Sequence, residues 1–167
     1  MKDLILNQTK IPKEQWRYGL RSSAATGCGW IAAYNALRIL GYKMAPEKLI
    51  AAFERQLPII HGNAGTTFWA PAVLFRKWGF PVTVVADVRK FDTAAEQADV
   101  CILFYHWHKK WKFGAHFVAL HRKDGRFVGY NTYSNSVGED IYGPSLQAFL
   151  KKQRYFGPVL ITIRDKR

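Results

Sequence analysis

Cysteine is nearly absent: Cys28 and Cys101 are the only two in 167 residues. So sparse a pair excludes the disulfide framework of a small secreted domain, and neither residue sits in the CxxC or CxxH spacing of a structural zinc site. Acidic residues are also scarce, 12 Asp and Glu against 25 Lys and Arg, which leaves a formal charge of +13 and favours an anionic partner or substrate. Long apolar runs are missing too. No stretch approaches the ~18 residues of a membrane span, and the opening "MKDLILNQTKIPKEQW" offers only "LIL" where an export signal needs a longer apolar core. A reducing, cytoplasmic setting is the expectation. With no repeat, low-complexity tract or Pro/Gly/Ser linker to divide it, the chain is expected to form one domain over residues 1–167.

Apolar residues, by contrast, make up 49% of the chain and aromatics 15%, enough for a large core. Helical signals crowd the first half. After Gly29 the run "WIAAYNALRIL" breaks its apolar character only at Asn35 and Arg38 and stops at Gly41, as a buried helix with a glycine cap would. Pro46 opens a second helix with Leu49, Ile50 and Phe53 on one face. A third runs through "APAVLFRKW", with Thr66 or Thr67 as its N-cap. The second half reads as sheet: "FPVTVVAD" (80–87), "VCILFYHW" (100–107), "AHFVALHRK", "RFVGYN" and "PVLITIRD" are strands, with short helices after Asp92 and over "PSLQAFLKKQ". Helices first and an antiparallel sheet afterwards predict an α+β fold with N-terminal helices packed on the sheet.

One turn fixes a register. If Asp124-Gly125 is a two-residue hairpin loop, Lys123 pairs with Arg126 and every pair sums to 249, so Val118 faces Asn131. Alternation then puts His116 and Asn131 on one face, at a diagonal of about 7–8 Å. Cys28, between two glycines at a predicted helix N-terminus, supplies a third residue type. A thiol nucleophile needs a base, and the base needs a group that holds its ring. The helix terminus is expected to lower the Cys28 pKa and leave its N–H free for an oxyanion, while Gly27 and Gly29 leave room for a substrate backbone and Gly114 leaves room for the His116 ring.

"TGCGWIAAYNALRILG" followed by "GAHFVALHRKDGRFVGYN" resembles the papain-like cysteine peptidases, and within them the C39-like branch that includes the bacteriocin-processing double-glycine peptidases. "GTTFWAPAVLFRKWGFPVTV" is similar to the family's middle helix and first sheet strand. The resemblance implies a papain-like fold and hydrolysis of a peptide or amide bond through a Cys28 thioester, with His116 as base and acid and Asn131 orienting the imidazole. Family members usually supply an oxyanion Gln, often just before the Cys, but residues 22–27 read "SSAATG". Gln8, after "LILN", is the implied equivalent, with Gln15 in reserve. The implied partner is a peptide or protein substrate, acidic to suit the charge, and no cofactor or metal is implied.

Two other readings compete. Lys109, Lys110 and Lys112, with Arg122 further along, interleave with Trp107, Trp111 and Phe113, a pattern that suits single-stranded nucleic acid but ranks below the peptide reading. A papain-like fold without activity, binding an anionic peptide or nucleic acid, is the alternative function. His106 and His108 share a face and could ligate a metal, but no Asp or Glu lies near them in sequence, so a solvated hairpin rim is preferred.

Overall fold

The computed structural model describes residues 3–56 and 65–167. Its centre is a six-stranded antiparallel sheet of β3 (Val82–Val85), β4 (Val100–Lys109), β5 (Lys112–Lys123), β6 (Arg126–Tyr130), β7 (Asp140–Gly143) and β8 (Phe156–Ile163), in the order β3-β8-β4-β5-β6-β7. A small hairpin, β1 (Arg17–Tyr18) and β2 (Arg21–Ser22), stands apart from it. Helices cover both faces. α2 (Cys28–Ile39), α3 (Pro46–Glu54) and α4 (Ala70–Lys77) bury Trp30, Leu49, Phe53 and Phe75 against Ile102, Phe117 and Ile161. α5 (Phe91–Glu96) and α6 (Leu146–Gln153) bury Phe91 and Leu150 against Leu103, Val118 and Leu160 on the other side. Strand alternation produces this division, because successive residues of β4 and β5 face opposite layers. Among the described residues no helix is long and apolar enough to cross a membrane.

The α+β architecture expected from sequence is the one observed. The Asp124-Gly125 turn also holds: Lys123 pairs with Arg126 and Ala119 with Tyr130, in the 249 register. There the ladder ends. Asn131 takes a left-handed φ of 63° and leaves the strand, so the expected Val118–Asn131 pair does not form. Three further expectations are corrected. Thr66 and Thr67 do not cap α4, whose N-cap is Trp69; the Thr66 hydroxyl instead donates to Tyr18 Oη. Gly27 and Gly29 leave no room for substrate, since a Cβ on Gly27 would meet the Ser23 carbonyl at 2.6 Å and one on Gly29 would meet Thr66 Oγ1 at 2.3 Å. Gly114 makes room for Trp107, its cross-strand partner, rather than for His116.

Asn35 explains the polar break in the α2 run. Fully buried, it accepts from the Ile5 N–H at 2.9 Å and donates to the Ile5 carbonyl at 2.8 Å, holding the N-terminal segment across the helix. Asn7 continues the attachment by donating to the Ser134 carbonyl at 2.7 Å, in the loop after β6. Buried backbone groups need partners, and here side-chain amides act as a strand would. The segment is thereby carried to the end of β6.

Candidate active site

Cys28 opens α2, directly after α1 (Ser23–Thr26) and the cap residue Gly27. The N–H groups of Cys28 and Gly29 are directed at its thiol, as expected at a helix N-terminus, and the Phe117 N–H of β5 reaches it as well. These donors favour the thiolate, but burial outweighs them and pushes the pKa up to about 11. A helix terminus supplies only about 0.3–1 kcal/mol, less than desolvation of a thiolate costs here. The lowered pKa expected from sequence is therefore corrected: the resting group is a neutral thiol.

His116 stands next to Phe117, on the stretch of β5 that runs past the last β6 pair. Its Nε2 lies 2.6 Å from the main-chain carbonyl of Asn131. A carbonyl only accepts, so Nε2 carries the proton and the neutral ring keeps its lone pair on Nδ1. Burial lowers the pKa of this imidazole, and the Asn131 bond opposes that only in part. The ring is thus a neutral base with its tautomer set. Alternation turns His116 toward the layer that contains Tyr105, its cross-strand partner, while Cys28 packs with the α2 layer. The two come to neighbouring positions of β5, with no hydrogen bond between thiol and ring.

Asn131 therefore holds the ring with its backbone, and its side chain does something else. Oδ1 accepts from the Gln8 N–H at 2.7 Å and Nδ2 donates to Gln8 Oε1 at 3.0 Å. Gln8 Nε2 donates to the Ala24 carbonyl in α1 at 3.2 Å, leaving its second proton for another acceptor. The structure thus gathers Gln8, His116 and Asn131, whereas the reserve candidate Gln15 is exposed and lines a separate groove with Trp16 and Val137. The carbonyl contact was not legible from residue types. Its only sequence signal is an Asn at a strand end, a residue that tolerates the left-handed backbone.

A cleft of about 640 Å³ opens beside the ring, bordered by Gln8, His116 and Asn131 and by the rings of Tyr105, Trp107, Tyr133 and Tyr155. Cys28 is not among its walls. His108 and Lys109 extend it along the β4–β5 hairpin. His106 leaves that rim: it stacks against Phe113 and Phe156 at centroid distances of 5.8 and 5.4 Å. No three His, Cys, Asp or Glu side chains gather as metal ligands among the described residues.

No family model and no curated protein matches this sequence. Among solved structures, it is similar to the peptidase domain of Streptococcus ComA, a bi-functional ABC transporter involved in a quorum-sensing pathway. The TM-score is 0.54 over 83% of this chain and 91% of that one, at 14% identity. Likeness at that identity concerns the fold. Taken with the helix-on-sheet architecture, it gives this chain the papain-like fold of that peptidase domain.

Proposed function

We propose that the protein is a cysteine peptidase or amidase with Cys28 as nucleophile and His116 as general base. The observation that carries this reading is the 2.6 Å bond from His116 Nε2 to the Asn131 carbonyl, which leaves the Nδ1 lone pair available on the strand whose next N–H meets the Cys28 thiol. Because thiol and imidazole are both neutral at rest, the thiol proton moves to Nδ1 as Sγ attacks the substrate carbonyl. Such hydrogen bonds commonly tighten only when substrate is bound. The N–H groups of Cys28 and Gly29, with the second Gln8 proton, are the donors for the oxyanion. The C–N bond then breaks and His116 returns the proton to the departing amine. Water, deprotonated by His116, cleaves the thioester, releasing the acid and restoring the thiol.

The test is labelling of the folded protein by a panel of peptidyl vinyl sulfones, read by mass spectrometry. Adducts on Cys28 that His116→Ala abolishes are the expected result. Labelling confined to unfolded protein would sink the enzyme reading. It would favour a non-catalytic papain-like module for an anionic partner, the reading that a thiol pushed up to about 11 and unbonded to His116 supports.

A further inference from the structure

The cleft beside His116 contains a chemical imbalance that the proposed reaction does not use. Its walls carry aromatic rings and side-chain amides but no Asp or Glu, and Lys109 extends into it from the β4–β5 hairpin. Lys112 is the direct cross-strand partner of Lys109, so both cations lie on the hairpin face that also carries Trp107. Like charges directly opposite each other destabilise a ladder. Among the described residues neither lysine joins a salt bridge. The hairpin thus holds a pair of cations outside any salt bridge, Lys109 in the wall of a cleft that lacks carboxylates and Lys112 opposite it on the ladder, on a chain of net charge +13.

Position assigns the cleft to one half of a substrate. The acyl half becomes bonded to Cys28, whereas the departing half must receive its proton from His116. A cleft that borders His116 and Asn131 but not Cys28 lies where the departing half would sit. We infer that this cleft binds the leaving-group side of an acidic peptide, its carboxylate held by Lys109 and Lys112 and its backbone by Trp107, Tyr133 and Gln153. The sidedness rests on the peptidase reading; the binding of an acidic peptide does not. Single-stranded nucleic acid is less well suited, because it needs a basic groove that follows its phosphates, whereas Lys109 is the one Lys or Arg among the described residues of the cleft wall.

The experiment is calorimetric titration of the full chain carrying Cys28→Ala, which cannot turn over, with the peptide Gly-Gly-Asp-Glu-Phe and its isostere Gly-Gly-Asn-Gln-Phe. The acidic peptide is expected to bind roughly five- to tenfold more tightly, the order expected for two half-exposed ion pairs. Lys109→Gln with Lys112→Gln should remove that preference, while the remote pair Lys48→Gln with Lys77→Gln should keep it. Equal binding of the two peptides overturns the proposal, as does equal loss in both double variants, which would mean diffuse surface charge. Displacement of the peptide by an oligothymidylate that binds more tightly overturns it in favour of nucleic acid. Preference for the acidic peptide with an inert Cys28 would leave the acidic site standing and remove the peptidase reading alone.

Discussion

Asn131 holds His116 with its main-chain carbonyl and Gln8 with its side chain, so one residue ties the imidazole and the N-terminal segment to the same point. Its left-handed φ of 63° makes this possible by turning backbone and side chain in different directions. Two substitutions separate these roles. Asn131→Gly keeps the carbonyl and the backbone conformation but loses two hydrogen bonds, a cost of about 1–3 kcal/mol. Asn131→Ala loses the same bonds and adds roughly 1–2 kcal/mol of left-handed strain. Urea unfolding should rank wild type above Gly and Gly above Ala; a ranking with Ala above Gly would contradict the backbone role.

The thiol and the imidazole give a pH signature of the resting site. With the Cys28 pKa near 11, iodoacetamide alkylation should lack a plateau below neutrality and climb through the alkaline range. A reactive plateau near pH 6 would show a preformed ion pair instead. Stability should follow the same groups. A folded thiol pKa above the unfolded value of about 8.5 contributes stability that is full below that pH and is lost as pH rises toward 11. His116 has its folded pKa lowered, so its contribution is present above pH ~6.5 and is lost as pH falls through the folded value. Chemical denaturation across pH, compared with Cys28→Ala and His116→Gln, reads both effects.

Asn35 is predicted to matter at a distance. Asn35→Ala leaves the Ile5 N–H and carbonyl unpaired beside a buried helix, costing about 2–4 kcal/mol. Hydrogen exchange at Ile5 and Gln8 should accelerate together, because the same segment continues to Asn131. Acceleration at Ile5 alone would show that the Gln8 clasp is independent.

Gly29 is set by Thr66. Gly29→Ala places a methyl 2.3 Å from Thr66 Oγ1 and 2.6 Å from its Cβ, so destabilisation of about 2 kcal/mol or more is expected. Thr66→Gly clears those atoms at the loss of the Tyr18 bond, and the double variant should be more stable than the sum of the two single losses. Simple additivity would place the clash elsewhere.

The fold was legible where side-chain pattern and turn chemistry act locally. "WIAAYNALRIL" could bury itself only as a helix, and Asp124-Gly125 could close only a tight hairpin, which set the register to Ala119–Tyr130. The β4–β5 turn was not legible in the same way. Lys110, at a φ of 54°, and Trp111 make it without glycine or asparagine, so the sequence suggested a hairpin rim there but not its register. At the site, alternation brought His116 and Asn131 near each other in expectation. What it could not supply was the departure of Asn131 from the strand, since backbone conformation at a ladder's last residue depends on the packing beyond it. Reading the glycines around Cys28 as space for substrate failed for a related reason: a missing Cβ leaves a gap, and whether protein or ligand fills it is decided by distant residues such as Thr66.

The N-terminal attachment through Asn35, Asn7 and Asn131 also has a consequence in time. Gln8 and Cys28 emerge during synthesis well before their partners, which lie more than a hundred and nearly ninety positions later. Until β5 and the bend at Asn131 exist, the helical half holds a cysteine with no histidine beside it and an N-terminal strap only half fastened. The candidate site is therefore assembled only after β5 and β6 are made, by the later sheet closing over the earlier segment.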